Sequence, residues 1–252
     1  MRTTKNQLIV FAMRRSGQHA IVHFVYRMYG APKTFCNNRK SYRDEFGTNK
    51  KDIADGDTSG DLELFMVNYE DQPVREEISS PSRLIQDHEA HVGHALDTHY
   101  LLCMRDPFNL FSSRLNHGEG RRIRETLLTD PQRTIDLWKN HAAEFTGRTK
   151  ILPNMIAVNY NKWLMDEEYR REIADRLGVS YRSRHWNRTT REGGGSTFEK
   201  RKVKNADRMG LFERWKLSRD EPSYRRLFED KELVELSLEI FGHIPETEEL
   251  YS

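Results

Sequence analysis

The sequence predicts a three-layer α/β/α fold built around a central, mostly parallel sheet. Two observations lead to this class. Short apolar strand patterns alternate with helical patterns along the chain, which is typical of parallel strands covered by helices on both faces. The two strongest strand patterns, 7–13 and 100–104, are each followed closely by an arginine and a helix start. The 252 residues contain no internal repeat and no clear linker, so we expect one domain spanning 1–252.

The strand and helix patterns follow one another in a regular order. Residues 18–29 place apolar side chains on one stripe and stop before Gly30, a common residue after a helix. Pro107 and Pro131 occupy first-turn positions of two later helices, the second behind a capping Asp130. The predicted strands are 7–13, 62–67, 84–88, 100–104 and 155–160, and the predicted helices are 18–29, 107–115, 130–145, 166–177 and most of 206–241. The polar residues 38–61 predict an irregular loop.

Composition argues against several functional classes. A net charge of +2 disfavours a surface that binds nucleic acid as a whole. No apolar run approaches the roughly 20 residues of a membrane span, and no secretory signal is recognisable, so we expect a cytoplasmic protein with no membrane partner. The two cysteines, Cys36 and Cys103, provide no disulfide framework. His88, His91 and His94 are spaced by threes without a further ligand, and no metal is expected.

The segment 8–19, LIVFAMRRSGQH, is the most informative part of the chain. An apolar strand passes through a short Arg-Ser-Gly turn directly into a helix. This arrangement directs backbone N–H groups, the positive end of a helix and an arginine at one point, where a phosphate or sulfate fits. The turn is not a Walker A loop, because Gly17 is followed by Gln18 and His19 rather than by Lys and Ser or Thr.

A second arginine, Arg105, directly follows the strand pattern 100–104. Ligands of open parallel sheets bind outside the carboxyl ends of the strands. Two arginine-bearing strand ends therefore predict a ligand with two separated anionic groups. Residues 181–205 add eight Lys or Arg against two acids, together with Gly193, Gly194, Gly195 and Ser196. This stretch predicts either an anion cradle or a solvated linker.

Together these motifs resemble the sulfotransferases that use 3′-phosphoadenosine 5′-phosphosulfate. The run Arg15-Ser16-Gly17-Gln18-His19 is similar to the family's loop for the 5′-phosphosulfate, and Arg105 with Ser113, eight positions on, is similar to its 3′-phosphate pair. Residues 158–164 resemble a later strand with a Tyr-containing segment, and the basic Gly-rich stretch up to 214–216 resembles the loop that closes over the nucleotide. Where the family usually has Lys, this chain has Arg15, and where it has Thr or Ser, this chain has Gln18 and His19. The arginine side chain still supplies a positive charge and several N–H donors.

The resemblance implies a P-loop-like nucleotide-binding fold, 3′-phosphoadenosine 5′-phosphosulfate as co-substrate, no metal, and in-line sulfuryl transfer to a hydroxyl or amine of a small-molecule or glycan acceptor. Arg15 and His88 are the expected catalytic residues, with Glu89 as the alternative base. The expected cofactor-binding residues are Arg14, Arg15, Ser16, Gly17, Gln18, His19, Arg105, Ser113, Gly194, Gly195 and Ser196. Acceptor contacts are expected from 38–61, 70–83 and 116–130, where Arg121, Arg122 and Arg124 indicate either an acidic acceptor or a solvated helix face.

Two alternatives stay open at the level of sequence. The first is a kinase-like P-loop enzyme that binds ATP, and the second is a nucleotide-binding module without catalysis. Preference for ATP over 3′-phosphoadenosine 5′-phosphate would indicate the kinase-like enzyme, and transfer of labelled sulfate would exclude the inactive module. The sequence predicts neither the acceptor's identity nor an oligomeric state.

Overall fold

The computed structural model describes residues 2–39, 52–75, 83–116, 121–183 and 210–251. Within these ranges, six strands form one sheet in the order β3-β2-β4-β1-β5-β6, and every neighbouring pair is parallel except β2 with β3. The strands are β1 Thr3–Ala12, β2 Lys33–Arg39, β3 Ile53–Asp55, β4 Leu62–Glu70, β5 His94–Met104 and β6 Met155–Asn159. The prediction of an α/β fold with a mostly parallel central sheet is confirmed.

Helices connect and cover the strands. The α-helices are α1 Gln18–Met28, α2 Arg83–Val92, α3 Pro107–Leu115, α4 Arg121–Thr129, α5 Pro131–Phe145, α6 Tyr160–Met165, α7 Glu167–Arg176, α8 Pro222–Arg225 and α9 Lys231–Phe241, with 3₁₀ turns at Arg214–Leu217, Arg226–Glu229 and Thr247–Leu250. The capping signals act as the sequence predicts. The Asp106 carboxylate accepts from the Asn109 N–H at 2.8 Å, and Asp130 accepts from the Arg133 N–H at 3.2 Å.

The sheet separates two apolar cores. Alternate residues of a strand point to opposite faces, so Ile9 and Phe11 of β1 enter one core while Leu8 and Val10 enter the other. The first core is completed by α3, α5 and α9, and the second by α1, α6 and α7. The described residues contain no helix that combines the length and apolar character needed to cross a membrane.

Two predictions of local structure were wrong. Residues 84–88 are not a strand, because α2 spans Arg83–Val92. The short apolar run suits either element, and the four-residue spacing of Leu84, His88 and Val92 is the helical signal, with His88 and Val92 both buried. Residues 38–61 are not wholly irregular, since β2 extends to Arg39 and β3 pairs with it as a short antiparallel edge strand. Residues 40–51 lie outside the described ranges.

Candidate functional site

The candidate site lies at the carboxyl edge of the sheet, beyond the end of β1. From β1 the chain passes through α1 to β2 in one direction along the sheet, whereas from the neighbouring β5 it passes through α3, α4 and α5 to β6 in the opposite direction. Connections that diverge in this way open a crevice outside the strand ends, which is where α/β sheets bind ligands. The ends of β4 and β5 flank this point, because Ala12 pairs with both Glu70 and Cys103.

A tight turn joins β1 to α1. The Ser16 N–H donates to the Met13 carbonyl at 3.2 Å, and both Arg15 and Gly17 have left-handed backbone angles, with φ of 75° and 83°. A Cβ atom at Gly17 would lie 2.2 Å from the Tyr160 ring. Glycine is therefore required at position 17 both for its backbone conformation and for the close approach of Tyr160.

Two buried polar atoms of this turn have no hydrogen-bond partner within the part of the chain that the structure describes. They are the Ser16 hydroxyl oxygen and the Gln18 amide oxygen, on side chains that are 1% and 2% exposed. Helix α1 also has no side-chain cap among these residues. Buried polar atoms are normally paired, and the Ser16 hydroxyl can donate to an anion, as can the uncapped first-turn N–H groups of α1. The Gln18 amide oxygen only accepts hydrogen bonds, so it is the Ser16 side of the turn that suits an anionic ligand.

Three arginines and one serine form what we call the arginine cluster: Arg15, Arg105, Arg214 and Ser113. The Ser113 hydroxyl is buried and accepts from Arg15 Nε and from Arg214 Nη1, each at 3.2 Å. Arg105 Nη1 donates to the Arg15 carbonyl at 3.3 Å. The structure thus brings the predicted residues Arg15, Arg105 and Ser113 together, and it adds Arg214 as a fourth member.

Neighbouring elements hold the arginine cluster in place. The Arg105 carbonyl accepts from Trp138 Nε1 at 3.1 Å, and the Arg105 guanidinium lies 5.5 Å from the centre of the Tyr160 ring. The Arg214 carbonyl accepts from the Ser112 hydroxyl at 2.6 Å, which ties the 3₁₀ turn to α3. The fold itself thus supplies contacts that hold Arg105 and Arg214.

The electrostatics of the arginine cluster favour an anion. Burial, together with repulsion from Arg105 and Arg114, lowers the pKa of Arg15 to about 10. Arg15 consequently keeps its charge at neutral pH although its surroundings disfavour that charge. A bound anion would relieve this repulsion, whereas a neutral ligand would not.

A second group of side chains lies on the other side of the turn, at the ends of β4 and β2. We call it the Glu70 cluster: Glu70, Arg14, Gln18, His19 and Asn37. The Glu70 carboxylate accepts from Arg14 Nε at 3.0 Å and from the Gln18 amide. His19 Nε2 lies 3.6 Å from Glu70 Oε1 and 3.2 Å from Asn37 Oδ1. The sequence predicts that Arg14, Gln18 and His19 bind the cofactor. In the structure their side chains lie against the Glu70 carboxylate.

The predicted base residues lie on α2, beside the sheet. The His88 ring is fully buried, with Nδ1 2.6 Å from Gln7 Nε2 and Nε2 2.9 Å from the Tyr69 hydroxyl. Gln7 precedes Ala12 by five residues, or about 16 Å along a strand. Glu89 lies 2.8 Å from His94, which pairs with Thr3 at the start of β1. Helix α2 thus holds His88 beside Gln7 and Tyr69, and Glu89 beside His94, where a strand was expected.

Other predicted residues fall partly outside the described ranges. Gly194, Gly195 and Ser196 lie there, with most of the basic stretch 181–205. Arg124 is exposed on α4, and the side chains of Arg121 and Arg122 are not among those described. Within the described residues, no group of three or more His, Cys, Asp or Glu is placed to hold a metal ion.

Neither Glu70 nor Asp71 was named individually from the sequence, although both lie in the range 70–83 expected to contact the acceptor. Glu70 and Asp71 follow the apolar pattern 62–67, but that strand was predicted to end three residues early. Acidic residues immediately after a parallel strand were the available signal. No protein-family model and no curated protein matches this chain.

Proposed function

We propose that the protein is a sulfotransferase with a P-loop-like fold that uses 3′-phosphoadenosine 5′-phosphosulfate and transfers its sulfuryl group to a hydroxyl or amine. The observation that carries the proposal is the arginine cluster. Arg15 and Arg214 both donate to the buried Ser113 hydroxyl, and Arg105 donates to the Arg15 carbonyl beside the first turn of α1. Two strand ends thereby supply positive charge to one crevice, as a nucleotide with two anionic groups requires.

Each end of the nucleotide has a separate set of donors. The N–H groups at the start of α1 and the Ser16 hydroxyl would bind the 5′-phosphosulfate, with the Arg15 guanidinium beside them. Arg105, Ser113 and Arg214 would bind the 3′-phosphate. Contacts to this second phosphate would distinguish the nucleotide from ATP.

The transfer itself needs position and positive charge more than covalent chemistry by the protein. The acceptor oxygen or nitrogen attacks the sulfur in line, a new O–S or N–S bond forms, and the bond from sulfur to the 5′-phosphate oxygen breaks. The leaving 5′-phosphate gains negative charge, which Arg15 and the α1 N–H groups would stabilise.

The acceptor must also lose a proton, and Glu70 is the residue whose position fits this role. Its carboxylate lies at the end of β4, next to the end of β1 and across the turn from the arginine cluster. An acceptor that attacks in line approaches from the side opposite the leaving phosphate. Glu70 takes the role that the sequence assigned to His88. Its polar neighbours His19 and Asn37 suit a small-molecule or glycan acceptor with hydroxyl or amine groups.

Nucleotide binding provides the direct test. Adenosine 3′,5′-bisphosphate should bind more tightly than ATP in calorimetry, and Arg105→Ala should reduce its affinity by about thirtyfold and that of adenosine 5′-monophosphate by much less. Arg148→Ala is the matched control, since Arg148 is an exposed arginine paired with Glu239.

Tighter binding of ATP would instead support the kinase-like alternative. Incubation with labelled 3′-phosphoadenosine 5′-phosphosulfate and a panel of small hydroxyl and amine acceptors, glycans included, then separates an enzyme from an inactive module. A protein that binds the bisphosphate but transfers no sulfate to any acceptor would be such a module.

A further inference from the structure

Asp71 and Arg114 together bind both backbone polar groups of Arg14. Asp71 Oδ1 accepts from the Arg14 N–H at 2.9 Å, and Arg114 Nη1 donates to the Arg14 carbonyl at 3.2 Å. The two side chains also bind each other, with Arg114 Nη1 2.7 Å from Asp71 Oδ1 and Nη2 3.4 Å from Oδ2. Asp71, Arg114 and the backbone of Arg14 are thus all hydrogen-bonded to one another, directly before Arg15.

Both partners of this pair are held by the fold. The Asp71 N–H donates to the Ala12 carbonyl at 3.0 Å, which continues the pairing of β4 with β1. Arg114 is buried on α3, one residue after Ser113 of the arginine cluster. Burial alone would raise the pKa of Asp71, but the Arg114 charge and the N–H of Arg14 outweigh it, and the pKa of Asp71 lies below its ordinary value.

The turn needs such support, because Arg15 has a φ of 75°. A left-handed conformation is unfavourable for a residue with a side chain, and it persists only where the surroundings determine it. The Asp71–Arg114 pair holds the peptide groups before Arg15, and Arg105 holds the carbonyl after it. Both sides of the unfavourable conformation are therefore restrained.

We propose that Asp71 and Arg114 are positioning residues, which set the backbone of residues 14–16 so that the turn can bind the 5′-phosphate of the nucleotide. This inference rests on the proposed function for the identity of the ligand. Because α3 supplies both Arg114 and Ser113, the same helix orients the 5′-phosphate turn and contributes to the 3′-phosphate site. Neither Asp71 nor Arg114 needs to touch the nucleotide.

The test compares two nucleotides that differ by one phosphate. Asp71→Asn should weaken binding of adenosine 3′,5′-bisphosphate by about tenfold and leave the affinity for adenosine 3′-monophosphate within about twofold. A loss that came from general destabilisation would not depend on the 5′-phosphate. Asp230→Asn is the matched control, because Asp230 also accepts from a backbone N–H and pairs with a cation, Lys139, but on α9. It should change neither affinity.

A second measurement needs no ligand. Amide hydrogen exchange of residues 14–19 should accelerate in Asp71→Asn and in Arg114→Lys, while β1 stays protected. Unchanged exchange in this segment, or equal losses for the two nucleotides, would overturn the positioning role. A wild-type protein that binds neither nucleotide would contradict the proposed function, and the exchange result would still decide whether the pair holds the turn.

Discussion

The two sides of the turn after β1 differ in charge although they are built around adjacent residues. Arg15 joins the arginine cluster, where its Nε contacts Ser113, whereas Arg14 joins the Glu70 cluster, where its Nε contacts a carboxylate. The first side favours an anion, and the second disfavours one. Neighbouring arginines in a sequence can thus serve different purposes, because the left-handed backbone at Arg15 turns their side chains apart.

This difference assigns the two reactants of the proposed transfer to separate places. The anionic nucleotide belongs to the side where α3 and the 3₁₀ turn at Arg214–Leu217 supply cations. The acceptor belongs to the side where β4 and β2 supply Glu70 and Asn37. Charge alone would keep the nucleotide from occupying the acceptor's place. The following predictions test this separation.

The largest expected effect concerns the chemical role of the Glu70 cluster. Glu70→Gln should reduce sulfate transfer at least about a hundredfold, the range for loss of a general base, while adenosine 3′,5′-bisphosphate binds within about threefold of the wild type. Asp97→Asn, which removes an exposed carboxylate on β5, is the control. Equal transfer rates for Glu70→Gln and the wild type would show that the acceptor's proton goes elsewhere.

The next effect concerns the turn that separates the two sides. Gly17→Ala should lower the free energy of unfolding by about 3 kcal/mol, because its Cβ meets the Tyr160 ring and its φ is positive. Gly147 has a similar φ of 75° with nothing within 4 Å of an added Cβ, so Gly147→Ala should cost only about 1 kcal/mol. Denaturant unfolding measures the free energy of unfolding of both variants. Equal losses of unfolding free energy would mean that the Tyr160 ring moves aside freely.

Substituting Arg15 and Arg14 one at a time compares the two sides of the turn directly. Arg15→Ala should weaken binding of adenosine 3′,5′-bisphosphate by about thirtyfold. Arg14→Ala should weaken it by less than about threefold, because Arg14 is partly exposed and already paired with Glu70. Calorimetric titration of both variants gives the ratio of their dissociation constants for this nucleotide. Similar losses would show that the nucleotide spans both sides of the turn.

The smallest effect is a dependence of stability on pH. The pKa of Asp71 is lowered in the folded protein, so its ion pair stabilises the fold above the ordinary aspartate pKa of about 3.9. That contribution is lost as the pH falls through the lowered folded-state pKa. The difference in unfolding free energy between the wild type and Asp71→Asn should therefore be largest near neutral pH and shrink below about pH 4. A difference that persists in acid would mean that the Asp71 charge does not contribute.

Local patterns were sufficient to predict much of the sheet and the anion turn. The strand, turn and helix around Arg15 are encoded by adjacent residues, and α3 and α5 begin where Asp106 and Asp130 cap them. The run 84–88 was misassigned because a short apolar segment has no unique period. The same misassignment placed His88 after a strand, whereas it lies on α2 in contact with Gln7 and Tyr69.

The two arginine-bearing strand ends and the family resemblance supplied Arg105 and Ser113 as expected partners of the turn at Arg15. By itself, the sequence determined the class of fold and that turn. These features depend on periodicity, caps and strand ends, which neighbouring residues specify. Only the tertiary structure decided which side of the turn each side chain occupies. Glu70 lies 56 positions from Arg14, and Arg114 lies 100 positions from it. Such contacts arise from strand order and helix packing, and no local pattern contains them.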